Sequence, residues 1–152
     1  MSELSKVIVI RQLDREDAHA LVALESQCRG AARWGEAGYR DIGINGIAGW
    51  AATRDSAVQG FVLVRALADE MEILNLAVDP NAHRQGIGGR LVQQAIEEVR
   101  RAGVKRVYLE VRESNAAARA FYSNAGFTEL RRRKNYYSQP VEDALLLVLH
   151  FI

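Results

Sequence analysis

The sequence has few of the residues that staple extracellular or metal-bound proteins. Its single cysteine, Cys28, cannot form an intramolecular disulfide, and Met1–Gln12 carries no signal-like apolar segment. A reducing cytoplasm is therefore the expected compartment. Three histidines (His19, His83, His150) stand apart without ligand spacing, so no metal site is expected. Two prolines and no Pro/Gly/Ser-rich tract leave no linker, and there is no internal repeat. The longest apolar run, Ala144–Leu149, has six residues, far short of the roughly 20 that span a bilayer, so no membrane association is expected. A net charge of +1 argues against a general nucleic-acid binder. No Gly-x-Ser-x-Gly elbow supports a serine nucleophile, and no Gly-Lys-Ser/Thr follows the glycines as a Walker A loop requires.

What remains is an ordinary globular composition: 152 residues, 49% hydrophobic and 26% charged. One domain over residues 1–152 is expected. The charge is uneven, −3 over residues 1–76 and +4 over 77–152, so a phosphate-bearing ligand would favour the second half.

Val7–Arg11 reads as a short strand. Asp14 is a candidate N-cap for a helix toward Gln27, with Ala18, Leu21, Val22 and Leu24 on one face. A short helix is expected around Glu36–Ile42. Ile47–Thr53, Val58–Leu67 and Met71–Val78 read as strands joined by turns at Arg54-Asp55-Ser56 and Ala68-Asp69-Glu70. Leu91, Val92, Ala95, Ile96 and Val99 mark the clearest helix, ended by Gly103. Lys105–Val111 alternates as a strand, Asn115 caps a helix through Asn124, and Gly126 closes it. Strands about Thr128–Tyr136 and Asp143–Phe151 complete the chain; the last is apolar on both faces and is expected to be central. The class is α/β (α+β-like): a central mixed, mostly antiparallel sheet of about seven strands flanked by about four helices.

Before the clearest helix stands His83-Arg84-Gln85-Gly86-Ile87-Gly88-Gly89. Glycines admit positive φ and close backbone approach, and a helix N-terminus presents free N–H groups to phosphate oxygens. An ordinary tight strand-to-helix loop explains the same residues, and taken alone the loop does not decide. A dinucleotide fingerprint is disfavoured, because Leu91 holds its third-glycine position and seven residues separate Val78 from Gly86.

Arg84-Gln85-Gly86-Ile87-Gly88, following Asn75-Leu76-Ala77-Val78-Asp79-Pro80, resembles the signature of the GNAT acetyltransferase superfamily. Ser114-Asn115-x-x-Ala118-x-x-Phe121-Tyr122-x-x-x-Gly126-Phe127 resembles its next block. Leu109-Glu110-Val111-Arg112 and Arg132-Arg133-Lys134-Asn135-Tyr136-Tyr137 are similar to the RimI-type ribosomal-protein N-terminal alanine acetyltransferases. The likeness covers Met71 to the C-terminus. The sequence departs from the pattern at His83, where Gln or Arg is usual, at Arg33-Trp34, where Pro-Trp is usual, and in a short Ser138–Val141 loop.

The resemblance implies acetyl-CoA as co-substrate and a protein or peptide N-terminus, ribosomal in the family, as acceptor. It implies that strands Met71–Val78 and Lys105–Val111 splay apart. Leu76, Ala77 and Val78 would pair with the pantetheine, with the Val78 amide facing the thioester carbonyl. Arg84, Gln85, Gly86, Ile87, Gly88 and Gly89 would hold the pyrophosphate, and Asn115 would contact the coenzyme. Glu110 would be the general base and Tyr122 the general acid; Trp34, Tyr136 and Tyr137 would line the acceptor side. By pattern alone Glu110 reads as a solvent-facing strand glutamate and Tyr122 as a core residue beside Ala118 and Ala125. An α-amine, with a pKa of about 8 against about 10.4 for lysine, needs only mild help to react. Small-amine acetylation (polyamine, amino acid or antibiotic) and non-catalytic acyl-CoA binding are the rival readings, and the sequence leaves oligomeric state open.

Overall fold

The computed structural model describes residues 7–28, 31–83 and 85–151. Its elements run β1 (Val9–Gln12), α1 (Ala18–Gln27), α2 (Gly35–Tyr39), β2 (Ile47–Arg54), β3 (Ala57–Leu67), β4 (Glu70–Val78), α3 (Ile87–Arg101), β5 (Arg106–Arg112), α4 (Ala116–Asn124), β6 (Thr128–Ser138) and β7 (Val141–His150). The seven strands form one sheet in the order β1-β2-β3-β4-β5-β7-β6, and only β4 and β5 pair in parallel. None of the described helices is long and apolar enough to cross a membrane.

Several boundaries differ from the sequence reading for local reasons. Asp14 caps a 3-10 turn, Arg15–Asp17, rather than α1 itself; its carboxylate accepts from the Glu16 N–H and Asp17 returns a bond to the Asp14 N–H. Both expected three-residue turns are two-residue turns. Asp55 and Ser56 both take positive φ (49° and 69°), so Arg54 pairs with Ala57. Ala68, at φ 55°, lets Glu70 pair with Leu67. Strand β7 lies between β5 and β6, interior but next to the edge rather than central.

The two sheet faces carry separate cores. Strand β2 through β5 residues Trp50, Val62, Val64, Met71, Ile73, Val107 and Leu109 pack under the α3 stripe of Leu91, Val92, Ala95 and Val99, with Tyr122 and Phe127 beside them. On the other face Ala51, Phe61, Leu63 and Ala77 pack under α1 and α2 through Leu21, Leu24 and Tyr39. Neither α1 nor α2 covers the sheet at Tyr108, Glu110 and Leu146, where a groove remains.

Candidate active site

Parallel pairing of β4 with β5 lasts only three residues: Glu70 with Arg106, Met71 with Val107, Glu72 with Tyr108. Beyond them the strands part. The cause lies in β4, where Val64 pairs with Ile73 but Leu63 with Asn75, leaving Leu74 as an extra residue. Such a bulge bends a strand and reverses its facing pattern. Met71 and Ile73 accordingly point to the α3 side, whereas Asn75 and Ala77 point to the α1 side, and Leu76 and Val78 return to α3.

The bulge leaves an unpaired edge. Asp79 N–H donates to the Gln59 carbonyl at 2.7 Å, so antiparallel alternation turns the backbone groups of Val78 and Leu76 away from β3, toward the opening. Side chains reach two of these groups. Asn75 Oδ1 accepts the Leu76 N–H at 3.1 Å, while Cys28 Sγ and His83 Nε2 reach the Val78 carbonyl at 3.2 and 3.0 Å.

On the helix-free face, Glu110 lines a groove of about 680 Å³ with Glu72, Tyr108, Leu146 and Arg133. The Glu110 carboxylate lies 3.4 Å from Arg133 Nε. A second bulge sets its neighbours: Arg133 pairs with Ala144 but Tyr137 with Glu142, so residues 134–136 leave the ladder, with Asn135 at φ 53°. Hydrogen bonding to Glu110, then its charge, holds the Tyr136 phenol above its ordinary value. Tyr137 is raised by burial first and by Glu110 second. Its ring lies under the Arg112 guanidinium at 4.1 Å, and Arg112 also binds Glu142 (3.2 Å) and the Pro140 carbonyl (3.1 Å), fixing the β6–β7 hairpin. Arg131 and Arg133, within the strand expected about Thr128–Tyr136, both edge the groove.

The opposite face presents α3 and α4. Gly86 is the α3 N-cap at φ 74°, a conformation that favours glycine, and no side chain caps the helix. Its first turn holds no acidic residue, so the free N–H groups suit an anion. A Cβ on Gly88 would lie 3.6 Å from the Phe121 ring and 3.7 Å from Val78 Cγ2, which brings α3, α4 and the end of β4 together. Asn115 caps α4 through the Ala118 N–H at 3.0 Å. Tyr122 is 7% exposed, stacked edge-on with Phe121 and Phe127. Burial alone pushes its phenol above the ordinary value, and its hydroxyl has no hydrogen-bond partner among the described residues.

Residues 12–127 match the acetyltransferase (GNAT) family. The chain belongs to that family. It is 40% identical over 99 residues to the [ribosomal protein bS18]-alanine N-acetyltransferase of Escherichia coli K12, covering 64% of this chain and 67% of the relative. The crystal structure of the E. coli ribosomal-protein-S18-alanine N-acetyltransferase superposes with a TM-score of 0.85 at 33% identity, covering 95% and 94% of the two chains. Arabidopsis thaliana NAA60 in complex with acetyl-CoA shares the fold at 20% identity and TM-score 0.84, covering 95% of this chain and 99% of NAA60. The protein is an N-acetyltransferase, and the unpaired β4 edge beside an uncapped, acid-free helix N-terminus fits a coenzyme with amide and pyrophosphate groups.

Within this GNAT fold, Glu110, Tyr136 and Tyr137 gather on the groove side, while Val78, Gly88 and Phe121, which stacks on Tyr122, meet on the α3 side. Arg84 lies outside the described residues. Gln85 is exposed and its side chain accepts from Arg54. Trp34 sits apart from the groove lining, at the start of α2, packed against the α1-side core. Among the described residues no group of three or more His, Cys, Asp or Glu could hold a metal.

The sequence reading missed a buried polar relay. Glu25, 3% exposed, accepts from the Trp34 N–H (3.0 Å), the Gly35 N–H (3.1 Å) and the Tyr39 hydroxyl. Asn75, 5% exposed, donates to the Tyr39 oxygen and the Ala32 carbonyl (both 3.0 Å) and accepts from the Ala32 N–H (2.9 Å). Burial, then the Glu25 bond, raises the Tyr39 phenol. The signal was present: Glu25 follows Leu21 by four residues on the apolar face of α1. Glu25→Leu strands two amides and a phenol, and is expected to cost about 2–4 kcal/mol, measured as a lower urea midpoint at unchanged slope.

Proposed function

We propose that this enzyme moves the acetyl group of acetyl-CoA directly to the α-amino group of a protein N-terminus. The ribosomal protein bS18, which the relatives' names specify, is the acceptor class. The observation that carries the reading is the opening between β4 and β5, with Glu110 on the groove side and α3 and α4, which carries Tyr122, on the other face. Leu76–Val78 would pair with the pantetheine, residues 84–89 would bind the pyrophosphate, and Asn115, at the start of α4, would contact the coenzyme. Glu110 takes a proton from the acceptor amine, whose nitrogen forms the new C–N bond. The Val78 N–H donates to the carbonyl oxygen as negative charge develops there. Tyr122, held neutral by burial, gives its proton to the sulfur as the C–S bond breaks. Tyr136 and Tyr137, in the β6–β7 hairpin, form one wall of the acceptor site.

The test is thiol release with short peptides that differ only at their first residue, beginning with alanine, beside a polyamine and free amino acids. Acetyl on the peptide α-amine, located by mass spectrometry, is the expected product. Turnover on the small amines alone overturns the protein acceptor.

A further inference from the structure

Strand β2 ends in an arginine. Trp50 and Ala52 face α3, with Ala51 between them facing α1, so alternation puts Arg54 on the α3 side as well. Ala52 pairs with Gly60, and a Cβ on Gly60 would lie 3.2 Å from Ile87 and 3.3 Å from Leu91. The first turn of α3 therefore rests on that pair, and Arg54, two residues or about 6.6 Å further along β2, stands ahead of the helix. Gln85, the residue before the Gly86 N-cap, meets it there, its side-chain oxygen accepting a hydrogen bond from Arg54 Nη2. That neutral amide is the guanidinium's one hydrogen-bond partner among the described residues. Arg54 Nε is buried and has none. A guanidinium keeps its charge at neutral pH, and buried charges and donors are as a rule paired. Here the unmatched donor stands beside a helix start that has no side-chain cap and no acidic residue in its first turn.

We propose that Arg54 is a phosphate ligand for the coenzyme: Gln85 tethers its guanidinium beside the start of α3, and its remaining donors bind phosphate oxygens of acetyl-CoA. The inference rests on the placement of the phosphates at residues 84–89 proposed above and adds a residue from outside that loop. A planar fork gives a phosphate two parallel donors, which a lysine ammonium does not. Coenzyme A carries phosphate in two places, the pyrophosphate and the ribose 3′-phosphate. The phosphates do not change as the acetyl group moves, so Arg54 holds ground state and transition state equally. Its contribution falls on KM and not on kcat.

The test is calorimetric titration of parent and variants with CoA and with 3′-dephospho-CoA, beside initial rates on acetyl-CoA. Arg54→Met keeps the apolar stem and removes the charge. Its CoA dissociation constant is expected to rise about 10- to 30-fold, with KM for acetyl-CoA in step and kcat within about twofold of the parent. Arg54→Lys restores the charge without the fork and should weaken binding only about three- to fivefold. Added salt should narrow the gap between parent and Arg54→Met, because the contact is ionic. Weakening toward CoA but not 3′-dephospho-CoA assigns the contact to the 3′-phosphate; equal weakening toward both assigns it to the pyrophosphate. The proposal is overturned if Arg54→Met binds both ligands as the parent does, or if affinity follows melting temperature across the two Arg54 variants. Gly89→Asp reports separately on the underlying placement: a side chain there meets open space, and its carboxylate would repel phosphate at the first turn of α3. A Gly89→Asp variant with parent affinity for CoA overturns that placement, whatever Arg54 does.

Discussion

Replacing Tyr122 with phenylalanine is expected to slow acetyl transfer about 10²- to 10³-fold while leaving the protein about as stable as before. The ring does the packing: it meets Phe121 and Phe127 edge-on at 5.0 and 5.4 Å, and phenylalanine keeps both contacts. The hydroxyl makes no hydrogen bond to the described residues, and it is not one of their fully buried, unpaired side-chain atoms. No contact within the fold engages it, which leaves it free to act elsewhere. Its proton is retained because burial raises the phenol, so the side chain is an acid throughout the neutral range. A thiol of ordinary pKa, about 8.5, leaves poorly as the free anion from a water-poor site, and a proton delivered at that sulfur accounts for the expected factor. CoA affinity should change less than threefold. Parallel measurements of kcat, CoA affinity and melting temperature check the account; a slow variant that is also unstable would return Tyr122 to the core.

Strong periodicity made much of this architecture legible. The stripe from Leu91 to Val99 identified α3, and the alternation of Val107, Leu109 and Val111 placed Glu110 on the face away from the core, where the groove now contains it. Asn115 was readable as a cap because its side chain acts within its own turn. The bulges were not readable. Leu74 follows Ile73 within the strand Glu70–Val78, and two adjacent apolar residues do not by themselves say that the strand's two faces exchange there. Yet that single extra residue opens the sheet and aims Asn75 at the α1–α2 loop. The relay of Glu25, Tyr39 and Asn75 joins residues 14 to 50 positions apart, a pairing that only the folded topology creates. Nor does the sequence show that Arg112, just past the expected strand Lys105–Val111, binds Glu142 and the Pro140 carbonyl in the β6–β7 hairpin. Short-range chemistry was thus visible in the sequence, and chemistry assembled by bulges and tertiary hydrogen bonds was not.

The general-base assignment makes its sharpest prediction in pH. An acceptor α-amine with a pKa near 8 is about 1% neutral at pH 6 and about 90% neutral at pH 9. Glu110 allows the protonated form to react by removing its proton in the site; Glu110→Gln restricts reaction to amine that arrives neutral. The variant's deficit is therefore expected to be about 100-fold at pH 6 and to shrink to a few-fold at pH 9, because hydroxide in the medium replaces the missing base as pH rises. Site phenols do not confuse this window. Tyr122, Tyr136 and Tyr137 all lie above their ordinary value and keep their protons across it. The substitution also breaks the contact with Arg133 at 3.4 Å, which could displace the acceptor wall. That effect is separable: a geometric loss lowers activity equally at every pH, whereas loss of a base gives converging profiles. Initial rates of parent and Glu110→Gln on one alanine-initiated peptide, from pH 6 to 9 at saturating acetyl-CoA, decide between them. Parallel profiles would leave Glu110 as a wall of the acceptor groove and move the search for the base to Glu72, the next carboxylate on the same face.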